Sequence, residues 1–147
     1  MPRILLLLVA LALPSAAFAA APSDYFGTWK IVSSKPAPWE PHAKPVAWDV
    51  KHLAGKTFTI SAKGITAARP VGCPDPVYEI RDWPADMLFQ GTLTDPERQA
   101  RALGYAPGAI RTLVTGCEGD VNLHFLDRNT ALFALNNYIW RIERVKR

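Results

Sequence analysis

Apolar and polar side chains alternate along much of the chain. Residues 25–33 (YFGTWKIVS) put Tyr25, Gly27, Trp29 and Ile31 on one face of an extended segment, because successive side chains of a strand point to opposite sides. Residues 56–62 (KTFTISA) form a second such run, Lys63-Gly64 a turn, and residues 65–68 the returning arm of a hairpin. Residues 77–81 make a short strand, and residues 87–90 are a further candidate. The clearest pattern is C-terminal: residues 110–115 (IRTLVT), 121–126 (VNLHFL), 130–135 (TALFAL) and 138–145 (YIWRIERV) are four strands in an antiparallel meander. The break Asn136-Asn137 suits a two-residue hairpin, since asparagine tolerates positive φ. In VNLHFL, His124 shares a face with Asn122 and Leu126, opposite Val121, Leu123 and Phe125. That register predicts an outward, solvated His124.

Two stretches interrupt the alternation. Residues 35–48 (KPAPWEPHAKPVAW) hold four prolines, which lack an amide donor and exclude a sheet interior. A long extended surface loop is expected there, followed by a helical turn at 48–53 with Asp49 as its cap and Gly55 past its end. Thr94-Asp95-Pro96-Glu97 opens a helix that runs to Leu103 and stops at Gly104, with proline where a missing amide costs nothing. Short, numerous strands and little helix predict a mostly β protein: a small antiparallel β-barrel with one short surface helix near 95–103.

The first residues follow a different rule. Arg3, an unbroken apolar run over 4–13, and Ser15-Ala16-Ala17-Phe18-Ala19 have the three-part layout of a secretory signal peptide. The cut falls after Ala19, leaving residues 20–147 as a single β-barrel domain. The apolar run is shorter than the roughly 20 residues that span a bilayer, and no membrane span is expected elsewhere. At 147 residues, 49% hydrophobic and 20% charged, the chain is neither disordered, collagen-like nor a coiled coil. A net charge of +4, spread along the chain, argues against a nucleic-acid partner. Export makes Cys73 and Cys117, the two cysteines, a disulfide pair. The expected location is the periplasm or the medium, and the expected state is a monomer.

The segment Tyr25-Phe26-Gly27-Thr28-Trp29 resembles the first strand of the lipocalin and calycin barrels, an aromatic residue followed by Gly-x-Trp. The resemblance extends to small bacterial periplasmic lipocalin-like proteins. It implies that Trp29 closes one end of the barrel, that Gly27 lies on its strand, and that an arginine of the last strand packs across the indole. Tyr138, Trp140 and Ile142 define the apolar face of that strand, and Arg144 continues it while Arg141 points away, so Arg144 is the expected partner. The lone helix precedes the final strands, where the family places one after them.

No catalytic motif accompanies this scaffold. Gly-x-Ser-x-Gly, His-Glu-x-x-His, Ser-x-x-Lys, a glycine-rich phosphate loop and a calcium loop are all missing from the sequence. Asp82 and Asp86 flank Trp83-Pro84 without a spacing suited to paired acid–base work, and Glu40, His42 and His52 have no metal-ligand spacing. Catalytic residues, metal and cofactor are therefore each expected to be none. Of five tryptophans, Trp39, Trp48 and Trp83 lie in proline-bordered segments. With His42 they are the candidate ligand-binding residues, Trp39, His42 and Trp48 forming a lid over the barrel mouth. Three functions follow: a non-catalytic binding protein for a small hydrophobic or amphipathic ligand; an inhibitor or immunity-type factor against a secreted or periplasmic enzyme, using the disulfide-pinned loop 115–120; and a hydrolase or isomerase without a recognisable motif.

Overall fold

In the computed structural model, which describes residues 20–146, eight antiparallel strands form one curled sheet. The signal peptide expected at 1–19 lies outside the described residues. The strands are β1 (Gly27–Pro36), β2 (Thr57–Ser61), β3 (Gly64–Thr66), β4 (Glu79–Trp83), β5 (Ile110–Val114), β6 (Leu123–Asp127), β7 (Thr130–Leu135) and β8 (Tyr138–Arg144). Two helices, α1 (Ala47–Leu53) and α2 (Pro96–Leu103), and 3₁₀ turns at Pro22–Tyr25 and Ala85–Gly91 complete the chain. Sheet order is β3-β2-β1-β8-β7-β6-β5-β4. Each strand therefore pairs with its sequence neighbour except across the β3–β4 gap, and the ends of the chain meet where Ile31 of β1 faces Ile142 of β8.

The ladder leaves β3 and β4 as edges, so the barrel is incompletely closed. Covalent chemistry crosses the gap. Cys73 pairs by an isolated bridge with Ile65 of β3 and forms a disulfide with Cys117, just past β5. Their Cα atoms are 5.9 Å apart across 44 positions of sequence. On the same side the Val77 N–H donates to the Thr115 carbonyl at 2.9 Å.

The concave face carries the main core. Alternation sends Trp29 and Ile31, Phe58 and Ile60, Leu123 and Phe125, and Trp140 and Ile142 inward. Leu53 of α1 and Ala43 of the proline-rich segment pack against this core, and the Tyr138 hydroxyl donates to the Ala43 carbonyl at 3.2 Å. The convex face of the C-terminal strands is covered as well. Leu88, Phe89, Leu93, Ala100, Leu103 and Tyr105 pack over Ile110, Leu132 and Ile139. The molecule is thus a curled sheet with a small helical layer on part of its outside. In α2 the exposed arginines face solvent, while Ala100 and Leu103 are buried; Gly104 ends the helix at φ +104°, a left-handed conformation that glycine adopts without strain.

Several local expectations shift. Residues 87–90 are not a strand: Leu88 is extended, and Phe89 and Gln90 are left-handed, inside the kinked Ala85–Gly91 turn. The fourth strand ends at Trp83 rather than residue 81, pairing Trp83 with Ile110. Pro36 ends β1 opposite Tyr138, so the first strand reaches into the proline-rich segment. Asp49 does not cap α1 but lies inside it, buried, accepting from the Asn136 Nδ2 at 2.7 Å.

Candidate functional site: a cleft over His124

β6 turns Leu123 and Phe125 inward and His124 outward, as the alternation requires. The expectation of a solvated His124 fails because the outside is covered there. Phe89 packs edge-on against the imidazole at 4.8 Å between ring centroids, Trp83 lies at 5.7 Å, and His124 is only 2% exposed. Both ring nitrogens are occupied. The Phe89 N–H donates to Nε2 at 3.3 Å, so the ring proton sits on Nδ1, which donates to Thr112 Oγ1 at 2.9 Å. That hydroxyl in turn donates to the Ile110 carbonyl at 3.4 Å. Burial disfavours the imidazolium and pushes the His124 pKa down to about 3. The neutral ring thus acts as a hydrogen-bonded support for Phe89.

Phe89 and Gln90 have φ of +49° and +63°, a conformation that costs residues with a Cβ about 1–3 kcal/mol. The surroundings over-determine it. Thr92 Oγ1 donates to the Phe89 carbonyl at 2.8 Å, and Gln90 Nε2 donates to the Asp120 carbonyl at 3.4 Å. On the facing side, Asn136 and Asn137 form the β7–β8 hairpin turn at φ +50° and +60°, and Asp120 turns at φ +50°. These five are all the non-glycine residues with positive φ among the described residues. All five line one cleft of about 220 Å³, with Trp39 on its wall and His124 at its base. The Trp39 Nε1–H donates to Asn137 Oδ1 at 3.0 Å, which ties the indole to the hairpin.

The expected ligand-binding residues separate. Trp39 reaches this cleft, and Trp83 contacts His124 from β4. His42 is exposed, and Trp48 is exposed on α1, where its ring stacks on His52 at 4.1 Å; neither lines the cleft. The stretch that carries Trp39, His42 and Trp48 is divided between the two faces, because Ala43 and Leu53 are drawn into the concave core while Trp39 is drawn to the convex face. Gln90, Asp120, Asn122, Asn136 and Asn137 were not foreseen as site residues. The sequence did carry one signal for them: Asn122 shares the outward face of His124, and Asn136-Asn137 ends the neighbouring hairpin.

At the other end of the sheet, the Arg144 guanidinium lies 4.6 Å from the centroid of the Trp29 ring, a cation–π distance. Trp29 is fully buried, and its Nε1–H donates to the Tyr25 carbonyl at 3.0 Å. Arg144 also donates to the carbonyls of Phe26 and Asp24, each at 2.8 Å, which ties β8 to the segment before β1. Among the described residues, no group of three or more His, Cys, Asp or Glu side chains is placed to hold a metal, and no helix is long and apolar enough to cross a membrane. Compared with protein-family models, with curated proteins and with solved structures, the chain matches none of them.

Proposed function

We propose that this is an exported, non-catalytic binding protein that takes a small amphipathic ligand in the cleft over His124. One observation carries the reading: every left-handed non-glycine residue of the described chain lines that cleft. Asn136-Asn137 and Asp120 are ordinary turn residues, but a left-handed Phe89-Gln90 pair is costly and is retained by a dedicated set of hydrogen bonds. The concave interior is a poorer place for a ligand, because Trp29, Phe125, Phe133 and Trp140 fill it. Binding is favoured over catalysis because His124, the buried titratable group at the cleft base, has both nitrogens committed to Phe89 and Thr112. At about 220 Å³ the cleft suits a ligand smaller than typical drug-sized ones.

Export is supported by the Cys73–Cys117 disulfide, which persists in oxidising compartments, and by the leader-like pattern of residues 1–19. A kinship with lipocalin-like barrels is supported by Gly27 and Trp29 on β1, with Arg144 of β8 over the indole. The test is a small-molecule fragment screen against the mature ¹⁵N-labelled protein by NMR. Binding should move the Trp39 indole and the Asn122, Asn136 and Asn137 side-chain amide signals together. Hits confined to other surfaces, or no hits, would overturn the reading.

A further inference from the structure

We infer that the cleft is built for an uncharged polyhydroxylated ring, a single hexose-sized sugar unit; this rests on the binding reading above. The argument comes from which half of each amide is already taken. Asn137 Oδ1 accepts from the Trp39 indole, and Asn122 Oδ1 accepts from the Thr115 N–H at 3.2 Å. Each of these partners is a donor, so the orientation of both amides is settled and each leaves its NH₂ unbonded within the described chain. The other two amides are fixed the opposite way. Asn136 Nδ2 donates to the Asp49 carboxylate and Gln90 Nε2 to the Asp120 carbonyl, so each leaves a carbonyl oxygen for a ligand.

The residues that line the cleft therefore carry two amide donors and two amide acceptors without a partner in the described chain, with the Asp120 carboxylate as a further acceptor. A hydroxyl both donates and accepts, and neighbouring hydroxyls on a ring match such a mixed set. The alternatives match it less well. No lysine or arginine lines the cleft, and Asp120 does, so an anion meets like charge with no counter-charge. A cation satisfies Asp120 but leaves the Asn122 and Asn137 NH₂ groups facing a donor. A purely apolar ligand desolvates all of these groups without replacing their bonds. Trp39 supplies a flat apolar wall suited to the C–H face of a sugar ring. The amides are held by Trp39, Thr115, Asp49 and Asp120 before any ligand arrives, so little side-chain freedom is lost on binding.

The experiment is saturation-transfer and ¹⁵N-shift NMR on the mature protein, with glucose, galactose, mannose and N-acetylglucosamine as probes and alanine and inorganic phosphate as comparators. At least one sugar should shift the Trp39, Asn122 and Asn137 side-chain signals, and phosphate should shift none. Asn122→Asp and Asn137→Asp each retain the oxygen that accepts from Thr115 or Trp39 but turn the free donor into an acceptor. Each should weaken sugar binding about tenfold while the fold is retained. If sugars leave the cleft unmoved while alanine or another small molecule moves it, the site stands and the sugar class is overturned. Sugar binding indifferent to both variants also overturns it. If no small molecule moves the cleft signals, both this inference and the binding reading fall.

Discussion

Trp29 and His124 are buried almost equally, at 0% and 2% exposure, on opposite faces of the same curled sheet. Their surroundings differ in kind. Around Trp29 the strands are regular, the neighbours are aromatic or aliphatic, and the polar work is done by Arg144 and one indole N–H bond. Around His124 the rings of Phe89 and Trp83 are joined by hydrogen bonds to both imidazole nitrogens, and the backbone over it stays in a conformation that costs energy. Burial on the concave side lowers the free energy of the fold directly. On the convex side the apolar layer of Leu88, Phe89 and Leu93 also stabilises the fold, but it includes the left-handed Phe89, whose backbone costs energy, and the binding reading proposed above accounts for that cost.

The largest perturbations should come from the concave side and its seam. Trp29→Ala removes the fully buried indole, its bond to Tyr25 and the ring beneath Arg144. Urea unfolding should show a loss of about 3–5 kcal/mol. A loss below 1 kcal/mol would mean that this end of the barrel is not packed as described. Replacing both Cys73 and Cys117 with alanine frees the 44-position loop and separates the β3 side from the β5 side. Chain entropy sets that loss at up to about 4 kcal/mol. Hydrogen exchange should quicken first along β3 and β4, the two edges, and uniform quickening would contradict a seam held by the disulfide.

The effect of pH distinguishes the two faces, because the convex one holds the buried histidine. His124 titrates near 6.5 when unfolded and at about 3 when folded. Between those values the unfolded chain binds the extra proton, so stability is complete above pH 6.5 and falls as pH drops toward 3. By pH 5 the loss should be on the order of 2 kcal/mol. His124→Leu should remove that acid slope in denaturation measured across pH, at a fixed cost of about 1–3 kcal/mol for the unpartnered Phe89 N–H and Thr112 hydroxyl. An unchanged slope would move the acid sensitivity to other groups.

The strand pattern was legible because a two-residue period is a strong signal. The four C-terminal strands, the hairpin at Asn136-Asn137 and α2 at Pro96–Leu103 all lie close to where alternation and capping residues put them. Even the facing of His124 was legible. What covers it was not, because a period of two tells which residues share a face but not whether that face meets water. Residues 85–105 fold back over β5–β8 through contacts between Phe89, Tyr105 and Leu132 that are far apart in sequence. The left-handed Phe89-Gln90 pair was illegible for a related reason. Neither residue favours that conformation, and what holds it, beside a local bond from Thr92, is long-range bonding to His124 and Asp120. The cleft was missed for the same reason, since its lining comes from four separate segments of chain.

The smallest expected effect is the most discriminating. Gln90 has φ +63° and 30° of ψ, a conformation open to glycine without strain. Gln90→Gly gives up one long hydrogen bond to the Asp120 carbonyl, at 3.4 Å, and relieves a left-handed residue that bears a Cβ. Relief should outweigh the lost bond, raising stability by about 0.5–1 kcal/mol in thermal or urea unfolding. The same change removes one of the two amide acceptors of the cleft, so ligand binding should weaken while the fold strengthens. Opposite signs for stability and binding are what a site kept at the expense of the fold requires. If Gln90→Gly lowers stability instead, the left-handed pair belongs to the packing of the convex layer, and the contrast between the two faces is lost.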